Sequence, residues 1–177
     1  MLEGVNINLR VMEPEDVPLF HDWIDNVEFQ GRYTPFAQKS LEERKKSFSE
    51  SSEDQKLFII ENKDRKRIGV IFYFKVKGGP YDLLEIGYLM DIVERKKGYC
   101  TEAVRVFVDF LFLSMDIERI QAATDKRNKA SQRVLEKSDF TEEGILRKAL
   151  FIKGEQVDIS LFSIIRDDWK EPKILKF

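Results

Sequence analysis

The most informative segment of this sequence reads Arg95-Lys96-Lys97-Gly98-Tyr99-Cys100-Thr101-Glu102-Ala103. It follows a strand-like segment, residues 83–91, and leads into a run with helical period, residues 101–114. The first N–H groups of a helix have no partner within the helix, and the helix dipole makes that end positive. Gly98 lets the backbone approach a ligand closely, and three basic side chains add positive charge. The segment therefore predicts an anion site suited to a pyrophosphate, with a solvated basic loop before an ordinary helix as the alternative.

The composition is that of a folded protein with balanced charge. The chain has 177 residues, of which 42% are apolar and 12% aromatic, enough for one domain with a substantial core. Its 30 Lys and Arg against 32 Asp and Glu argue against a dedicated duplex-DNA binder. One cysteine, Cys100, and one histidine, His21, exclude a disulfide framework and multi-cysteine or His-rich metal sites. With no apparent secretory signal or membrane span, we expect a cytoplasmic protein with no metal, no membrane and no direct nucleic-acid partner.

Hydrophobic periodicity predicts a mixed α/β, or α+β, arrangement. It indicates strands at residues 5–11, 57–61, 67–76, 83–91 and 119–124, and a closing hairpin of residues 144–152 and 156–165. It indicates helices at residues 13–26, 41–50, 101–114 and 128–137, an irregular segment at 27–40 and a turn at 77–80. Strands first, and then strands alternating with helices, favour a sheet flanked by helices. We expect a single domain over residues 1–177, with residues 166–177 as a peripheral tail.

Several motifs together resemble the GNAT superfamily of N-acetyltransferases. Arg95-x-x-Gly98-x-Cys100 is similar to the Arg/Gln-x-x-Gly-x-Gly/Ala signature that binds the pyrophosphate of acetyl-CoA in that family. Four more blocks follow the family order: Glu85-Ile86-Gly87-Tyr88-Leu89, Arg119-Ile120-Gln121-Ala122, residues 128–137 and residues 140–147. The last block, with Gly154 and Asp158, resembles the subgroup of ribosomal-protein N-terminal alanine acetyltransferases. Spermidine acetyltransferases share much of this pattern.

The resemblance implies a fold and a cosubstrate. The fold would be a twisted, mixed and mostly antiparallel sheet whose central strands splay apart around the pantetheine arm of acetyl-CoA. A backbone N–H near Leu89 or Met90 would polarise the thioester carbonyl. The implied acetyl-CoA contacts are Leu89, Met90, Arg95, Lys96, Lys97, Gly98, Tyr99, Cys100, Thr101, Asn128 and Ser131. Independently of the resemblance, the spacing from Cys100 to Asn128 allows one helix, one strand and two turns. This crossover returns Asn128 to the start of the helix at residues 101–114.

Three positions depart from the family pattern. Cys100 stands where the signature has Gly or Ala, and its small side chain should still allow phosphate binding. Leu135 stands where many members carry a Tyr that protonates the departing thiolate. Leu150 lies near a position where some ribosomal-type relatives have a carboxylate. These departures leave the acid and base of the reaction to other residues.

Two side chains are the remaining candidates for proton transfer. Ser131 matches a hydroxyl of the Asn-x-x-Ser relatives and would protonate or contact the thiolate. Glu85 would accept the proton of the amine through water. Both have a structural alternative, because Asn128 is a good N-cap with Ser131 in the first turn, and Glu85 could be a surface residue of its strand.

Substrate recognition would fall on an aromatic segment near the N-terminus, since apolar loops commonly line pockets. Its candidate residues are Trp23, Phe29, Tyr33 and Phe36. They could instead cap the core, which is the stronger interpretation for Trp23. The resemblance implies direct attack of a primary amine on acetyl-CoA by a monomer or homodimer. The acceptor stays open among a protein N-terminus, a polyamine, an amino sugar and a free amino acid. A catalytically inactive acyl-CoA-binding module and a ligand-free protein adaptor are the alternatives.

Overall fold

The chain builds a twisted sheet with helices on both faces. The computed structural model describes residues 1–35, 38–50, 54–77, 83–170 and 172. The strands are β1 (Leu2–Glu3), β2 (Ile7–Val11), β3 (Gln55–Asn62), β4 (Arg67–Val76), β5 (Leu83–Met90), β6 (Arg119–Asp125), β7 (Thr141–Ile152) and β8 (Glu155–Ile165). The helices are α1 (Val17–Asp25), α2 (Val27–Gln30), α3 (Leu41–Ser49), α4 (Tyr99–Ser114) and α5 (Lys129–Lys137), with 3-10 turns at Pro14–Asp16, Ile92–Glu94 and Arg166–Asp168.

The two central strands separate along most of their length. Within the described residues the sheet has the order β1-β2-β3-β4-β5-β6-β8-β7, and every neighbouring pair is antiparallel except β5 and β6. β4 and β5 pair at eight positions. By contrast, β5 and β6, both within the described residues 83–170, pair at two positions, Leu84 with Ile120 and Glu85 with Gln121. The predicted mixed, mostly antiparallel sheet with splayed central strands is therefore confirmed.

The helices cover the sheet with two separate apolar clusters. The apolar surface of α4 packs on one face, where Phe107 is fully buried and its ring meets Phe58 edge-on, with 5.1 Å between centroids. On the opposite face, Trp23 of α1 and Phe29 of α2 pack with Ile59. Phe58 and Ile59 are neighbours on β3, so the alternation of a strand sends them to opposite clusters.

A buried carboxylate fixes the start of α1 to the sheet. Asp16 is fully buried, and Arg10 of β2 donates to both of its oxygens, at 2.8 and 3.0 Å. Arg67 of β4 donates to Asp16 at 3.1 Å. Burial by itself raises the pKa of Asp16, but the hydrogen bonds from Arg10 and the Glu13 backbone outweigh it, so the net pKa is lowered. The carboxylate therefore stays ionised inside the folded protein.

The predicted first strand begins too early. Val5 is 83% exposed, and the strand starts at Ile7. The cause is a turn closed by a hydrogen bond of 2.8 Å from the Gly4 N–H to the Ile7 carbonyl oxygen. The chain before the turn forms β1, which pairs with β2.

The predicted irregular segment, residues 27–40, begins with the short helix α2. Asn26 starts this helix, because its side-chain oxygen accepts the N–H groups of Glu28 and Phe29 at 2.8 and 3.0 Å. An Asn N-cap of this kind stabilises even a single helical turn.

The described part of the tail is attached to α4. The Arg166 guanidinium donates to the carbonyl oxygens of Phe112, Met115 and Ile117, and the Trp169 indole donates to Asp109 at 2.8 Å. Residues 78–80 of the predicted turn, with 171 and 173–177 of the predicted tail, lie outside the described residues. Across the described stretches of chain, helices with the length and apolarity needed to cross a bilayer do not occur.

Candidate active site

The loop between β5 and α4 has the backbone of an anion site. Gly98 is the N-cap of α4 with φ +86°, and Lys96 also has a positive φ, +64°. A Cβ at Gly98 would meet no atom within 4 Å, so its conformation and not crowding favours glycine. The Glu102 N–H makes the first helical hydrogen bond, to the Gly98 carbonyl at 3.1 Å. Ahead of it come three N–H groups without an intrahelical partner, those of Tyr99, Cys100 and Thr101.

One basic side chain of this loop is paired within the protein. Lys97 donates to the buried carboxylate of Glu94 at 2.9 Å, and Lys66 donates to the other oxygen at 2.7 Å. The hydrogen bonds from Lys66 and Lys97 lower the pKa of Glu94. Glu94, which is not part of the motif, therefore links the loop to the turn between β3 and β4. The predicted contact between Lys97 and acetyl-CoA stays a prediction.

Arg95 links the loop to two other elements. Its Nε donates to the Met90 carbonyl at 3.0 Å, and its Nη2 donates to the Phe29 carbonyl at 2.7 Å. The first bond fixes the end of β5, and the second reaches α2. The first residue of the signature thus positions the backbone on both sides of the loop.

The gap between β5 and β6 contains a directed backbone donor. The Asp91 N–H donates to the Ile68 carbonyl on β4 at 2.9 Å. Backbone N–H groups alternate in direction along a strand, so the Leu89 N–H faces β4 and the Met90 N–H faces the gap. Of the two residues predicted to polarise a carbonyl, the strand geometry favours Met90.

Two hydroxyl groups meet across this gap. The Tyr88 hydroxyl of β5 lies 2.9 Å from the Ser131 hydroxyl in the first turn of α5. Asn128 is the N-cap of α5, and its side-chain oxygen accepts the Ser131 N–H at 3.2 Å. Burial raises the pKa of Tyr88, so its phenol stays protonated. Sequence reasoning gave Tyr88 no role, although a tyrosine on the apolar side of a strand needs a hydrogen-bond partner and so signals one.

Cys100 lies beside this pair in the first turn of α4. Burial raises the pKa of its thiol to about 12, against a smaller opposite effect of the Arg95 charge. The thiol is therefore protonated at neutral pH and is a poor nucleophile. This environment suits a small apolar side chain in the signature.

Glu85 lies on the opposite face of the sheet, at the closed end of the gap. Gln121 donates to its carboxylate at 2.7 Å. Burial raises the pKa of Glu85, and the hydrogen bond from Gln121 opposes that rise. A raised pKa suits a general base near neutral pH. Glu85 is five residues before Met90, which is about 16 Å along a strand, so a proton would reach it through water.

Two of the predicted substrate residues, Trp23 and Phe29, lie on the Glu85 face of the sheet. Trp23 and Phe29 are buried and stacked, with ring centroids 5.0 Å apart and planes at 8°. Tyr33 is half-buried, and the Arg32 guanidinium lies 5.5 Å from its ring centroid. Phe36 lies outside the described residues. Substrate binding by Trp23, Phe29, Tyr33 and Phe36 therefore stays a prediction.

The end of α2 and the residues that follow it cross the open end of the gap. At one end, the Phe29 carbonyl accepts Arg95. In the middle, the Gly31 carbonyl accepts Lys153 from the β7–β8 turn. At the other end, the charge of Arg32 acts on Asp125, the last residue of β6.

A cavity of about 600 Å³ lies away from this gap. It is lined by residues at the start of β5 and the turn after α4, and by Met12, Leu57 and Tyr73. Met90 is at the other end of β5, so the cavity is separate from the open end of the gap.

Comparison with known proteins gives the family. The model of the GNAT acetyltransferase domain matches residues 6–141. The chain belongs to the GNAT acetyltransferase family. It is therefore an N-acetyltransferase, as the sequence predicted. The probable N-acetyltransferase YjcK of Bacillus subtilis is 31% identical over 178 residues, covering 95% of this chain and 98% of the relative.

Two solved structures of acetyltransferases are similar over nearly the whole chain. The ribosomal-protein-S5-alanine acetyltransferase of Vibrio fischeri is 26% identical with a TM-score of 0.77, covering 96% of this chain and 98% of that one. The spermidine N-acetyltransferase of Vibrio cholerae, in complex with CoA and spermine, has a TM-score of 0.84 at 18% identity, covering 93% and 98%. The second likeness establishes the fold alone.

Proposed function

We propose that this GNAT enzyme transfers the acetyl group of acetyl-CoA to the α-amino group of a protein N-terminus. The observation that carries the proposal is the gap between β5 and β6. At its open end lie the Met90 N–H, the first turn of α4 and the Tyr88–Ser131 hydroxyl pair. A backbone donor, an anion site and a proton donor around one opening are what thioester aminolysis needs.

The described residues fit acetyl-CoA. The positive φ of Gly98, the open space around it and the first N–H groups of α4 suit a pyrophosphate. Lys96 adds positive charge at the same turn. The part of β5 that does not pair with β6 offers backbone groups to the extended pantetheine arm of acetyl-CoA, as a strand edge does.

The chemistry follows from the positions of three groups. The amine nitrogen attacks the thioester carbonyl carbon, a C–N bond forms, and the C–S bond breaks. The Met90 N–H donates to the carbonyl oxygen as negative charge develops there. The proton of the amine leaves through water to Glu85, and Ser131 gives a proton to the departing thiolate. Glu85 then releases its proton to solvent and solvent returns a proton to Ser131, so the enzyme is unchanged after each cycle.

Charges at the open end of the gap favour an acceptor with few positive charges. The carboxylate of Asp125 is held by Arg127 at 2.6 Å, and Glu155 pairs with the same guanidinium at 2.6 Å. Hydrogen bonds from Arg127 lower the pKa of Asp125, as does the charge of Arg32. The three basic residues Arg32, Arg127 and Lys153 outnumber the two carboxylates of Asp125 and Glu155 here, so a polyamine would meet a small excess of positive charge, which repels it. A peptide N-terminus loses its single positive charge before it attacks. The similarity to the ribosomal-protein-S5-alanine acetyltransferase supports the same acceptor class.

The test is release of CoA thiol with a matched set of acceptors. We expect faster release with an alanine-terminated peptide than with the same peptide acetylated at its N-terminus, or with spermidine. Release fastest with spermidine would contradict the proposed acceptor and support a polyamine enzyme. Binding of acetyl-CoA without release above hydrolysis, for any amine, would contradict turnover and support an inactive acyl-CoA-binding module.

A further inference from the structure

The face of the sheet that carries Glu85 has a groove across its inner strands. Gly87 is two residues after Glu85 on β5, and Ala123 is two residues after Gln121 on β6, so strand alternation gives all four the same face. Phe72 of β4 pairs directly with Gly87, and directly paired side chains project to one face. Although these are inner strands, Ala123 is exposed, and Phe72 and Gly87 are half-buried.

The Phe72 ring narrows this groove from the β4 side. A Cβ at position 87 would lie 2.7 Å from the ring atom Cε2 and closer still to Cζ, which is nearer than side chains pack. Glycine at position 87 therefore allows the ring to lie across β5, towards the gap. The last pair of β5 and β6 joins Glu85 and Gln121, so two residues further, where the strands separate, Ala123 lies across the gap from Gly87.

The groove is on the side from which an acceptor would approach. Tyr99 and Cys100, in the first turn of α4, pack on the apolar cluster of the opposite face. If acetyl-CoA binds there, the amine has to reach the thioester from the Glu85 face. This step rests on the proposed function.

The spacing along β5 places the first residue of a peptide acceptor over this groove. Gly87 is three residues before Met90, which is about 10 Å along a strand. A hydrogen bond from the Met90 N–H, the thioester carbonyl, the approaching amine and the α- and β-carbons of the acceptor together span about the same length. The side chain next to the amine therefore reaches Gly87, Ala123 and the Phe72 ring.

We propose that Phe72 is a specificity-determining residue that limits the size of the acceptor's first side chain. Gly87 and Ala123 leave room for a methyl group, and the Phe72 ring occupies the space that a larger group needs. An N-terminal alanine fits, whereas an N-terminal leucine or phenylalanine has to displace the ring. Displacement of a packed ring raises the barrier for the larger acceptor.

The test is release of CoA thiol with three peptides that differ only in their first residue, which is alanine, leucine or phenylalanine. Wild-type kcat/KM should be about tenfold or more higher for the alanine peptide than for the other two, and Phe72→Ala should lower this ratio by about tenfold. Because the ratio compares two substrates on one protein, a loss of folded enzyme cancels. Phe110→Ala, which removes a half-buried ring from α4 on the opposite face, is the matched control and should keep the wild-type ratio.

The other outcomes separate this inference from the proposed function. Peptide turnover with the same ratio in wild type and Phe72→Ala would overturn the role of Phe72 and leave the proposed function intact. A wild type without preference for alanine, or an equal change of the ratio in Phe110→Ala, would have the same meaning. No release with any of the three peptides would contradict the proposed function itself, and the role of Phe72 with it.

Discussion

The Tyr88 and Ser131 hydroxyls, 2.9 Å apart, connect the two sides of the gap between the central strands. Tyr88 belongs to β5, and Ser131 lies in the first turn of α5, the helix that follows β6. Since burial keeps Tyr88 protonated, its O–H can donate to Ser131 and leave the serine proton free to move to a thiolate. Tyr88 is then a positioning residue, and Ser131 is the proton donor.

Replacing the serine hydroxyl should slow the chemistry and leave cofactor binding intact. We expect Ser131→Ala to lower kcat by about 100-fold, because general acid catalysis contributes factors of this size. The Kd for acetyl-CoA should change by less than about twofold, measured by calorimetry. Ser114→Ala, at the far end of α4, is the control and should have wild-type kcat. A normal kcat in Ser131→Ala would remove Ser131 from the mechanism.

Tyr88→Phe should have a smaller effect that depends on Ser131. We expect kcat to fall by about five-fold in Tyr88→Phe, while the double variant with Ser131→Ala is no slower than Ser131→Ala alone. The measurement is a double-mutant cycle on kcat. Additive losses would mean that Tyr88 acts independently of Ser131.

Glu85 should control the pH dependence of both rate and stability. Because burial raises its pKa, kcat should fall as the pH drops through a value above 4.5. Glu85→Gln should lack this acid limb and lose about 100-fold in kcat. The folded state binds the Glu85 proton more tightly than the unfolded chain, so the unfolding free energy falls as the pH rises from the ordinary to the raised pKa. Glu85→Gln should not show that fall in chemical denaturation between pH 4 and 8. An unchanged rate profile would instead point to deprotonation by solvent.

Arg95 should act through its geometry as well as its charge. Lysine keeps the positive charge but replaces the planar guanidinium, whose Nε and Nη2 donate to the Met90 and Phe29 carbonyls, with a single nitrogen. We therefore expect Arg95→Lys to raise the Kd for acetyl-CoA by about tenfold and Lys96→Gln by about threefold or less. Calorimetric titration measures both. The reverse order would mean that net charge, and not the position of the loop, sets the affinity.

Asp16 should make stability depend on acid pH. Its lowered pKa gives stability that is complete above the ordinary value of 3.8 and is lost as the pH falls through the folded value. Asp16→Asn should lower the unfolding free energy at pH 7 by about 3 kcal/mol, because it leaves Arg10 and Arg67 without their shared partner. Denaturant titration measures this loss. Asp64→Asn, in an exposed turn, should change stability little, and equal losses in the two variants would contradict the role of Asp16.

The sequence predicts the fold from elements whose pattern is local. The apolar surface of α4 and the apolar runs of β4 and β5 depend on neighbouring residues, and the three elements are observed. The helix α2 was missed because it has a single turn, and it depends on the Asn26 side chain more than on any periodicity.

The site was predicted less completely, because its key contacts join distant residues. The Gly98 turn follows from a local motif, and its positive φ is observed. The Phe29 carbonyl that Arg95 meets is 66 residues away in sequence, so no spacing rule indicates it. Tyr88 resembles an ordinary core residue of β5 until α5 brings Ser131 to its hydroxyl.

The proposed function depends most directly on the turn at Gly98, which we propose binds the pyrophosphate of acetyl-CoA. Asn and Asp have the same shape and both tolerate the positive φ of this position, so Gly98→Asn and Gly98→Asp differ mainly in charge. Calorimetric titration with acetyl-CoA, on variants of equal thermal stability, should show Gly98→Asn within about fivefold of the wild-type Kd and Gly98→Asp about 30-fold weaker than Gly98→Asn. Equal affinities in the two variants would contradict the claim.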